Sequence, residues 1–214
     1  VELCTAIKPA AAIHILKNTD ANEIVFLDPD IAVYGNLDEL QEKLQTHSLL
    51  LTPHQVDPAI TDIGVRNDEI CSLKHGVFNF GFFAVKRNEE GLRFLNWWNS
   101  RLMDYCYDDI PNGLFTDQKW GNLIPCFFDF CYILRGVEYN VATWNLATRK
   151  LTGNRNTGWF VNDRPLKFFH FTGLDSGAHR IMLSQFAKQG EPAWEISQQY
   201  ENWLYENGQE ELGK

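Results

Sequence analysis

The sequence predicts an α/β protein in which a mixed β-sheet is flanked by helices. Short, strand-length apolar runs alternate with longer segments whose apolar residues recur at helical spacing. The chain has 214 residues, of which 44% are hydrophobic and 14% are aromatic. This composition is typical of a globular protein with a sizeable core. We therefore predict that residues 1–214 form a single domain.

Helices and strands alternate in the first half of the chain. Pro9 fits the first turn of a helix that ends near Lys17. Ile24–Leu27 are four consecutive apolar residues, a pattern typical of a parallel strand buried on both faces. The predicted elements that follow are an extended piece over 31–34, a helix over 37–44, a strand over 48–52, a polar loop over 57–74 and an aromatic-rich strand over 76–85.

The second half begins with the longest predicted helix, over residues 89–105. Its tryptophans and Trp120 could stack on sugars, but their helical spacing favours a core role. The remaining predicted elements are a short helix over 117–123, a strand over 132–134, a hairpin or loop over 151–163, a strand over 166–169 and helices over 178–188 and 195–205.

Charge and composition exclude several classes of partner. With 28 acidic and 19 basic residues the net charge is −9, which argues against nucleic acid or an anionic membrane surface as a ligand. The longest apolar runs have strand length, so no integral membrane segment is predicted. The five cysteines show no C-x-x-C spacing, which predicts buried, reduced thiols and a cytoplasmic location.

The main chemical signal is the sequence Asp28-Pro29-Asp30 at the carboxyl end of a predicted strand. Open α/β sheets place ligand sites at that end of their strands. Residues i and i+2 of an extended segment project to the same side, and Pro29 favours an extended conformation. Two neighbouring carboxylates predict a Mg²⁺ or Mn²⁺ site, because these cations prefer oxygen ligands. The alternative is a solvated turn in which Asp30 caps a helix.

The segment around this motif, Ile24-Val-Phe-Leu-Asp-Pro-Asp-Ile31, resembles the D-x-D region of GT-A-fold glycosyltransferases. The resemblance is to the retaining glycogenin and lipopolysaccharide galactosyltransferase-like group. Four later segments resemble that group in the same order: an "N-x-G" strand at 78–84, a "D-Q" pair at 117–118, a "Y-N" pair at 139–140 and an "H-x-x-G" segment at 170–173. Upstream, Thr5–Pro9 resembles a helix start with a basic residue that reaches the donor.

The resemblance implies a role for each matching residue. The metal would be held by Asp28, Asp30 and His170. Asp117 and Gln118 would lie near the reacting carbon of the donor sugar. Further donor contacts would come from Lys8, Asn79, Gly81, Asn140 and Gly173. The implied cofactor is Mn²⁺ or Mg²⁺, and the implied substrates are a nucleotide-sugar donor, UDP-linked, and a saccharide or other hydroxyl acceptor.

The sequence departs from the group's pattern in two places. The segment after Gly173 lacks the expected "K-P-W" ending, so Arg180 or Lys167 would have to contact the diphosphate. The first βαβ units, which bind the nucleoside base in the group, are expected before Lys8 and are missing. The resemblance therefore predicts a partial glycosyltransferase catalytic domain with a Rossmann-like GT-A sheet.

Several site residues also have purely structural interpretations. His170 could be a hydrogen-bonded core histidine among phenylalanines, and Asp117 could cap a helix. Asn79 could satisfy a strand-edge backbone group, and Gly81 could mark a bulge.

The sequence favours a metal-dependent glycosyltransferase, and the resemblance implies that it retains anomeric configuration. The alternatives are a Mg²⁺-dependent nucleotidyltransferase or pyrophosphatase and an inactive sugar-binding domain. The nucleotidyltransferase would normally contain a Gly-rich phosphate loop, which the sequence lacks.

Overall fold

A computed structural model describes residues 2–213, which fall into two compact units. The first unit contains the chain up to Asp28 together with Asn36–Gly136. The second contains Pro29–Gly35 and the chain from Val137 onward. The boundary lies inside the Asp28-Pro29-Asp30 motif. The assignment of residues 1–214 to one catalytic domain stays a prediction.

The first unit is built on a mixed four-stranded sheet, as expected for the predicted α/β class. The strand order is β1-β4-β3-β7, in which β4 is antiparallel to both neighbours and β3 is parallel to β7. The strands are β1 (Glu23–Leu27), β3 (Leu49–Pro53), β4 (Phe78–Lys86) and β7 (Cys131–Ile133). The short strands β5 (Asp108–Asp109) and β6 (Leu114–Phe115) form a separate ribbon.

Helices complete the first unit. The α-helices are α1 (Leu3–Ala6), α2 (Lys8–Asn18), α3 (Asp38–Thr46), α4 (Asp62–Gly64), α5 (Ile70–His75), α6 (Glu89–Tyr105) and α7 (Ile124–Phe127). A π-helix covers Val65–Glu69, and 3₁₀ turns cover Ile110–Asn112 and Lys119–Leu123. The bounds of α6 match the prediction because Asn88 caps its start and five of its residues are buried.

The aromatic core of this unit lies around Trp98. Its indole is fully buried and packs on Phe80, Phe83 and Phe94. The core role predicted for this tryptophan is therefore confirmed. The core joins one face of the sheet to α2 and α6 and fixes the strand ends that carry the site residues.

The prediction that residues 24–27 form a parallel strand buried on both faces is wrong. Strand β1 is antiparallel to β4, and Val25 is 44% exposed. Within residues 2–213, β4 is the only strand that pairs with β1, so one edge of β1 and part of its outer face are open. A run of apolar residues signals a strand, but it cannot specify how many neighbours cover that strand.

The loop predicted over residues 57–74 is helical from Asp62 to His75. Its apolar residues Ile63, Ile70 and Leu73 are exposed, so they give no core-facing periodicity. Local bonds stabilise the segment instead. Thr61 caps its first turn, and Lys119 donates to the carbonyls of Leu73 and Lys74 at its end.

The second unit contains a three-stranded sheet in the order β10-β9-β8 and a separate antiparallel pair, β11 and β2. Its strands are β2 (Ile31–Val33), β8 (Leu151–Asn154), β9 (Gly158–Val161), β10 (Arg164–Pro165) and β11 (Phe168–His170). Its helices are a 3₁₀ turn at Thr143–Asn145, α8 (Ala178–Phe186), α9 (Pro192–Glu206) and α10 (Gln209–Leu212). The core surrounds Phe169 and Phe171.

All five cysteines are free thiols, as predicted, but the prediction that they are buried is wrong for three of them. Cys4, Cys71 and Cys126 are exposed. Each lies on a short helix that contributes few side chains to the core. None of the helices in residues 2–213 has the length and apolarity needed to cross a membrane.

Candidate functional site

A buried lysine joins two of the predicted site carboxylates in the first unit. Lys8, in the first turn of α2, places its Nζ 3.0 Å from Oδ1 of Asp28 and 2.9 Å from Oδ2 of Asp117. The same nitrogen donates a hydrogen bond of 3.0 Å to the carbonyl of Phe80. Lys8 is 7% exposed and Asp117 is 3% exposed. The structure thus brings together three residues of which the first and the last are 109 positions apart in the sequence.

Burial and charge act against each other in this group. Burial lowers the pKa of Lys8, but the charges of Asp117 and Asp28 outweigh it and hold the pKa above its ordinary value. For Asp117, burial is the larger effect and raises the pKa, although the Lys8 charge opposes it. Lys8 is therefore a cation, whereas burial makes the negative charge of Asp117 costly to maintain.

A β-bulge in β4 shapes this part of the site. Leu51 pairs with Phe83, whereas the next residue, Thr52, pairs with Asn79. The three residues 80–82 of β4 are thereby left out of the ladder with β3. The bulge frees the Phe80 carbonyl for Lys8, and the Gly81 carbonyl accepts from the backbone N–H of Asp28 at 2.7 Å. The bulge predicted at Gly81 is confirmed.

Asn79, which is predicted to contact the donor sugar, makes a hydrogen bond inside the bulge. Its Oδ1 accepts from the N–H of Gly81 at 3.2 Å, and its Nδ2 lies 3.3 Å from Nε2 of His54. The residue is buried. Asn79 therefore satisfies a backbone group, as one of its two interpretations predicts.

Asp117 does not cap the helix that follows it. Its Oδ1 accepts from the Thr116 hydroxyl at 3.1 Å, and the 3₁₀ turn begins without a side-chain cap. Within residues 2–213, its Oδ2 accepts no hydrogen bond of normal geometry, so the contact with Lys8 is electrostatic. The Trp98 indole N–H fixes the backbone by donating to the Asp117 carbonyl at 3.1 Å.

Backbone strain accompanies Asp117. The preceding residue, Thr116, has a φ of 44°, a conformation that β-branched residues rarely adopt. The following residue, Gln118, donates its side-chain amide to the His75 carbonyl at 3.2 Å. Gln118 thereby ties the Asp117 segment to the end of α5.

The second unit contains two of the three predicted metal ligands. His170 is 3% exposed, and its Nε2 lies 3.0 Å from Oδ1 of Asp30 and 2.9 Å from the Thr172 hydroxyl. Thr172 in turn donates to Oδ2 of Asp30 at 3.3 Å. The His170 ring packs against Trp144 in a T-shaped arrangement, with ring centroids 5.2 Å apart. Unlike Asp117, the Asp30 carboxylate is partly exposed, at 39%.

Backbone bonds hold Asp30 in place. Strand pairing sets Ile31 opposite His170, and the N–H of Phe171 donates to the Asp30 carbonyl at 2.8 Å. The Tyr200 hydroxyl of α9 donates to the Pro29 carbonyl at 3.3 Å. Burial raises the pKa of Asp30, but the hydrogen bond and charge of His170 and the bond from Thr172 lower it below its ordinary value.

Asp28, Asp30 and His170 form a possible metal-binding group. Asp28 ends the first unit and is separated from Asp30 by Pro29 alone. Two carboxylates and one imidazole suit a divalent cation that prefers oxygen ligands. The 3.0 Å between Asp30 Oδ1 and His170 Nε2 matches neighbouring ligands in an octahedral shell with bonds of about 2.1 Å. The donor set therefore fits Mg²⁺ or Mn²⁺.

The two other predicted donor contacts also lie in the second unit. Asn140 is fully buried with a φ of 51°, and neither its amide oxygen nor its amide nitrogen has a hydrogen-bond partner within residues 2–213. An orphaned amide of this kind is unusual in a folded protein. Gly173 has a φ of 77°, which glycine adopts without strain, and its carbonyl accepts from the N–H of His179.

Three residues that shape these groups are not among the site residues predicted from the sequence: Thr116, Thr172 and Trp98, which is a partner of Asp117. Thr116 and Thr172 each lie within two positions of a predicted site residue. Their proximity was the only available signal, because threonine is common and a positive φ leaves no mark in the sequence. The bond from Trp98 spans 19 positions and follows from packing alone.

The fold has a counterpart among solved structures. The crystal structure of a glycosyltransferase involved in the glycosylation of the major capsid of PBCV-1 aligns with a TM-score of 0.51. The alignment covers 85% of this chain and 76% of that chain at 9% sequence identity. The chain therefore has a glycosyltransferase-like fold. At this identity the similarity concerns the fold alone.

No family model matches the chain. Two relatives from Bacillus subtilis (strain 168) are similar in sequence. The uncharacterized protein YfnD is 25% identical over 176 residues, covering 81% of this chain and 54% of YfnD. The uncharacterized protein YfnF is 23% identical over 173 residues, covering 80% of this chain and 56% of YfnF. The chain thus spans about half the length of these curated relatives.

Proposed function

We propose that the chain is part of a retaining glycosyltransferase that transfers a sugar from a UDP-linked donor to a saccharide or other hydroxyl acceptor. The observation that carries the proposal is that each aspartate of the Asp28-Pro29-Asp30 motif belongs to a group of charged side chains in its own unit. One group contains Lys8 and Asp117, and the other contains His170. The glycosyltransferase-like fold supports the reaction class.

Asp28, Asp30 and His170 are the proposed ligands of a Mn²⁺ or Mg²⁺ ion. When bound, such a cation neutralises charge on the donor diphosphate and stabilises the charge that grows as this group departs. A chain with a net charge of −9 needs a local cation to hold an anionic substrate. The Thr172 hydroxyl and the antiparallel pairing of β2 with β11 orient Asp30 and His170 for this role.

Asp117 is the proposed contact with the donor sugar. Its Oδ2 is buried and lacks a hydrogen-bond donor within residues 2–213, so a sugar hydroxyl could donate to it. Such a bond would hold the anomeric carbon in position while its bond to the diphosphate breaks and a bond to the acceptor oxygen forms. Gln118 is proposed beside it, near the reacting carbon.

The remaining proposed donor contacts are Lys8, Asn79, Gly81, Asn140 and Gly173. Asn140 has the strongest support, because its buried amide could donate to and accept from a bound polar ligand. Gly81 lies in the bulge and has no Cβ, which permits a ligand to approach the backbone closely.

The proposal can be tested by incubating the chain with UDP-sugars and Mn²⁺ and measuring the released products. Free UDP is expected, because glycosyl transfer to an acceptor or to water leaves the diphosphate intact. Mn²⁺ together with UDP should also raise the melting temperature, since both bind the native state. Asp30→Ala should abolish this rise, whereas Asp175→Ala, at an exposed carboxylate of the same unit, should retain it.

Three results would contradict the proposal. Release of pyrophosphate in place of UDP would indicate a nucleotidyltransferase or pyrophosphatase. A chain that binds free sugars but releases no UDP and shows no response to Mn²⁺ would be a sugar-binding domain. A full Mn²⁺ response in Asp30→Ala would remove the D-x-D motif from the metal site.

A further inference from the structure

Lys8 is the central cation of the group that it forms with Asp28 and Asp117 in the first unit. Three oxygen atoms lie within 3.0 Å of its nitrogen: Asp28 Oδ1, Asp117 Oδ2 and the Phe80 carbonyl. Two of these contacts are ion pairs with carboxylates, and the third is a hydrogen bond to a backbone carbonyl, so the ammonium is already surrounded by protein oxygens. Lys8 is also almost fully buried, with its ammonium 5.1 Å from the Phe26 ring centroid. Its charge is therefore directed at protein groups.

We infer that Lys8 is a positioning residue that holds Asp117 and Asp28 in place as carboxylates and acts on the donor only through them. This inference rests on the proposed function and replaces the direct donor contact proposed for Lys8 with an indirect role. A direct donor contact would require Lys8 to give up one of its three oxygen partners. The group sets one lysine against two aspartates, so its acidic side chains outnumber its cation and remain able to interact with a substrate or cation.

The surroundings of Lys8 explain why its place is fixed. Its backbone lies in the first turn of α2, where the next residue is Pro9. The Phe80 carbonyl is available because β4 bulges at that point. Asp28 is tied to the same bulge by its backbone N–H, and Asp117 is held by Thr116 and Trp98. Each partner of Lys8 is therefore anchored independently, and the lysine joins them.

A double-mutant cycle on stability tests the ion pair. Lys8→Met preserves side-chain length but leaves Asp117 as a buried carboxylate without a counter-charge, so the urea midpoint should fall clearly. Lys8→Met combined with Asp117→Asn should recover at least half of that fall, because the unpaired charge is gone. Lys86→Met is the matched control. The Lys86 ammonium also donates to a carbonyl, that of Leu44, but within the described residues it forms no ion pair, although Glu23 lies opposite Lys86 in the β1–β4 ladder.

A second cycle, on turnover, tests the positioning role. Lys8→Met should lower kcat by about 100-fold in the wild-type background, comparable to removal of one electrostatic group from an active site. In the Asp117→Asn background the same change should lower kcat less than about threefold, because residues that act as a unit are non-additive. Lys86→Met should leave kcat unchanged.

The possible failures are distinguishable. Equal losses of kcat in both backgrounds would show that Lys8 acts on the donor independently of Asp117, which overturns the inference while the proposed function stands. A double mutant whose urea midpoint equals the sum of the two single effects would overturn the charge pairing. A wild-type chain that turns over no UDP-sugar would contradict the proposed function and the positioning role together, whereas the stability cycle would still report on the ion pair.

Discussion

Asp117 in the first unit and Asp30 in the second are both predicted site carboxylates, yet their environments differ. Asp117 is 3% exposed and its pKa is raised, chiefly by burial. Asp30 has a side chain that is 39% exposed, and its pKa is lowered by His170 and Thr172 despite the opposing effect of burial. The comparison teaches that the same residue type is prepared for two tasks. Asp117 provides a buried hydrogen-bond acceptor, and Asp30 provides a charged, partly exposed ligand for the proposed metal.

The partners of the two carboxylates differ in the same way. Asp117 faces a permanent cation, Lys8, which no change of pH within the stability range removes. Asp30 faces His170, which is neutral when it binds a metal. In the proposed reaction the first pair is therefore fixed, whereas the second is available to exchange its contact for a cation.

The largest effect is expected from Asp117→Asn, which keeps the shape of the side chain and removes its charge. If Asp117 orients the donor sugar, kcat should fall by about 10²–10³-fold. Affinity for UDP should change little, because UDP lacks the sugar. Steady-state kinetics and UDP titration check this, with Asp104→Asn as an exposed control in the same unit. Unchanged kcat would reduce Asp117 to a structural role.

His170→Ala should next weaken Mn²⁺-dependent UDP binding at least about tenfold, because one of three proposed ligands is lost. His179→Ala is the matched control. That histidine is also buried in the second unit, where it bonds Ser197, but it lies outside the proposed ligand group. Affinity and melting temperature should be measured on both variants. Loss of stability with unaltered affinity in both would mark His170 as a core histidine.

A smaller effect is expected from Trp98→Phe. The change removes the hydrogen bond to the Asp117 carbonyl and leaves a small void in the core. It should lower the free energy of unfolding by about 1–3 kcal/mol and should reduce kcat through Asp117 without changing Mn²⁺ affinity. Trp97→Phe removes a neighbouring indole of the same helix and should spare kcat. Equal kcat values for the two variants would contradict the proposal that the Trp98 hydrogen bond positions Asp117.

The smallest effect concerns pH in a metal-free chain. The folded pKa of Asp30 is lowered, so its carboxylate contributes stability above the ordinary pKa, and this contribution is lost as pH falls through the folded value. Asp30→Asn should therefore be less stable than wild type near neutral pH, with the difference shrinking below about pH 4. Urea unfolding from neutral to acid pH measures it. A difference in the free energy of unfolding that grows as pH falls would contradict the lowered pKa of Asp30.

The opposite trend is expected for Asp117. Its raised pKa means that ionisation costs stability as pH rises above the ordinary carboxyl value. As pH rises above that value, the free energy of unfolding of Asp117→Asn should therefore increase relative to wild type. The charge of Lys8 opposes the raised pKa and limits the size of this difference. Parallel curves for the Asp30 and Asp117 variants would remove the contrast between the two regions.

The sequence by itself determined the α/β class, the order of most elements and the candidate residues. Helix α6 and strand β4 could be predicted because the spacing of their apolar residues follows which side chains are buried. The Asp28-Pro29-Asp30 motif could be recognised because residues i and i+2 of an extended segment project to the same side. The helical segment over 62–75 escaped prediction, since its apolar residues face solvent and its end is held by the distant Lys119.

Only the tertiary structure decided the partners of the site residues. Lys8 and Asp117 are 109 positions apart, and nothing in either local sequence specifies that they meet at 2.9 Å. The same holds for the bulge that frees the Phe80 carbonyl and for the orphaned amide of Asn140. Local sequence sets backbone preferences and burial patterns. The charge state of a carboxylate depends instead on which side chains the fold places within a few ångströms of it, because electrostatic interactions and desolvation act through space.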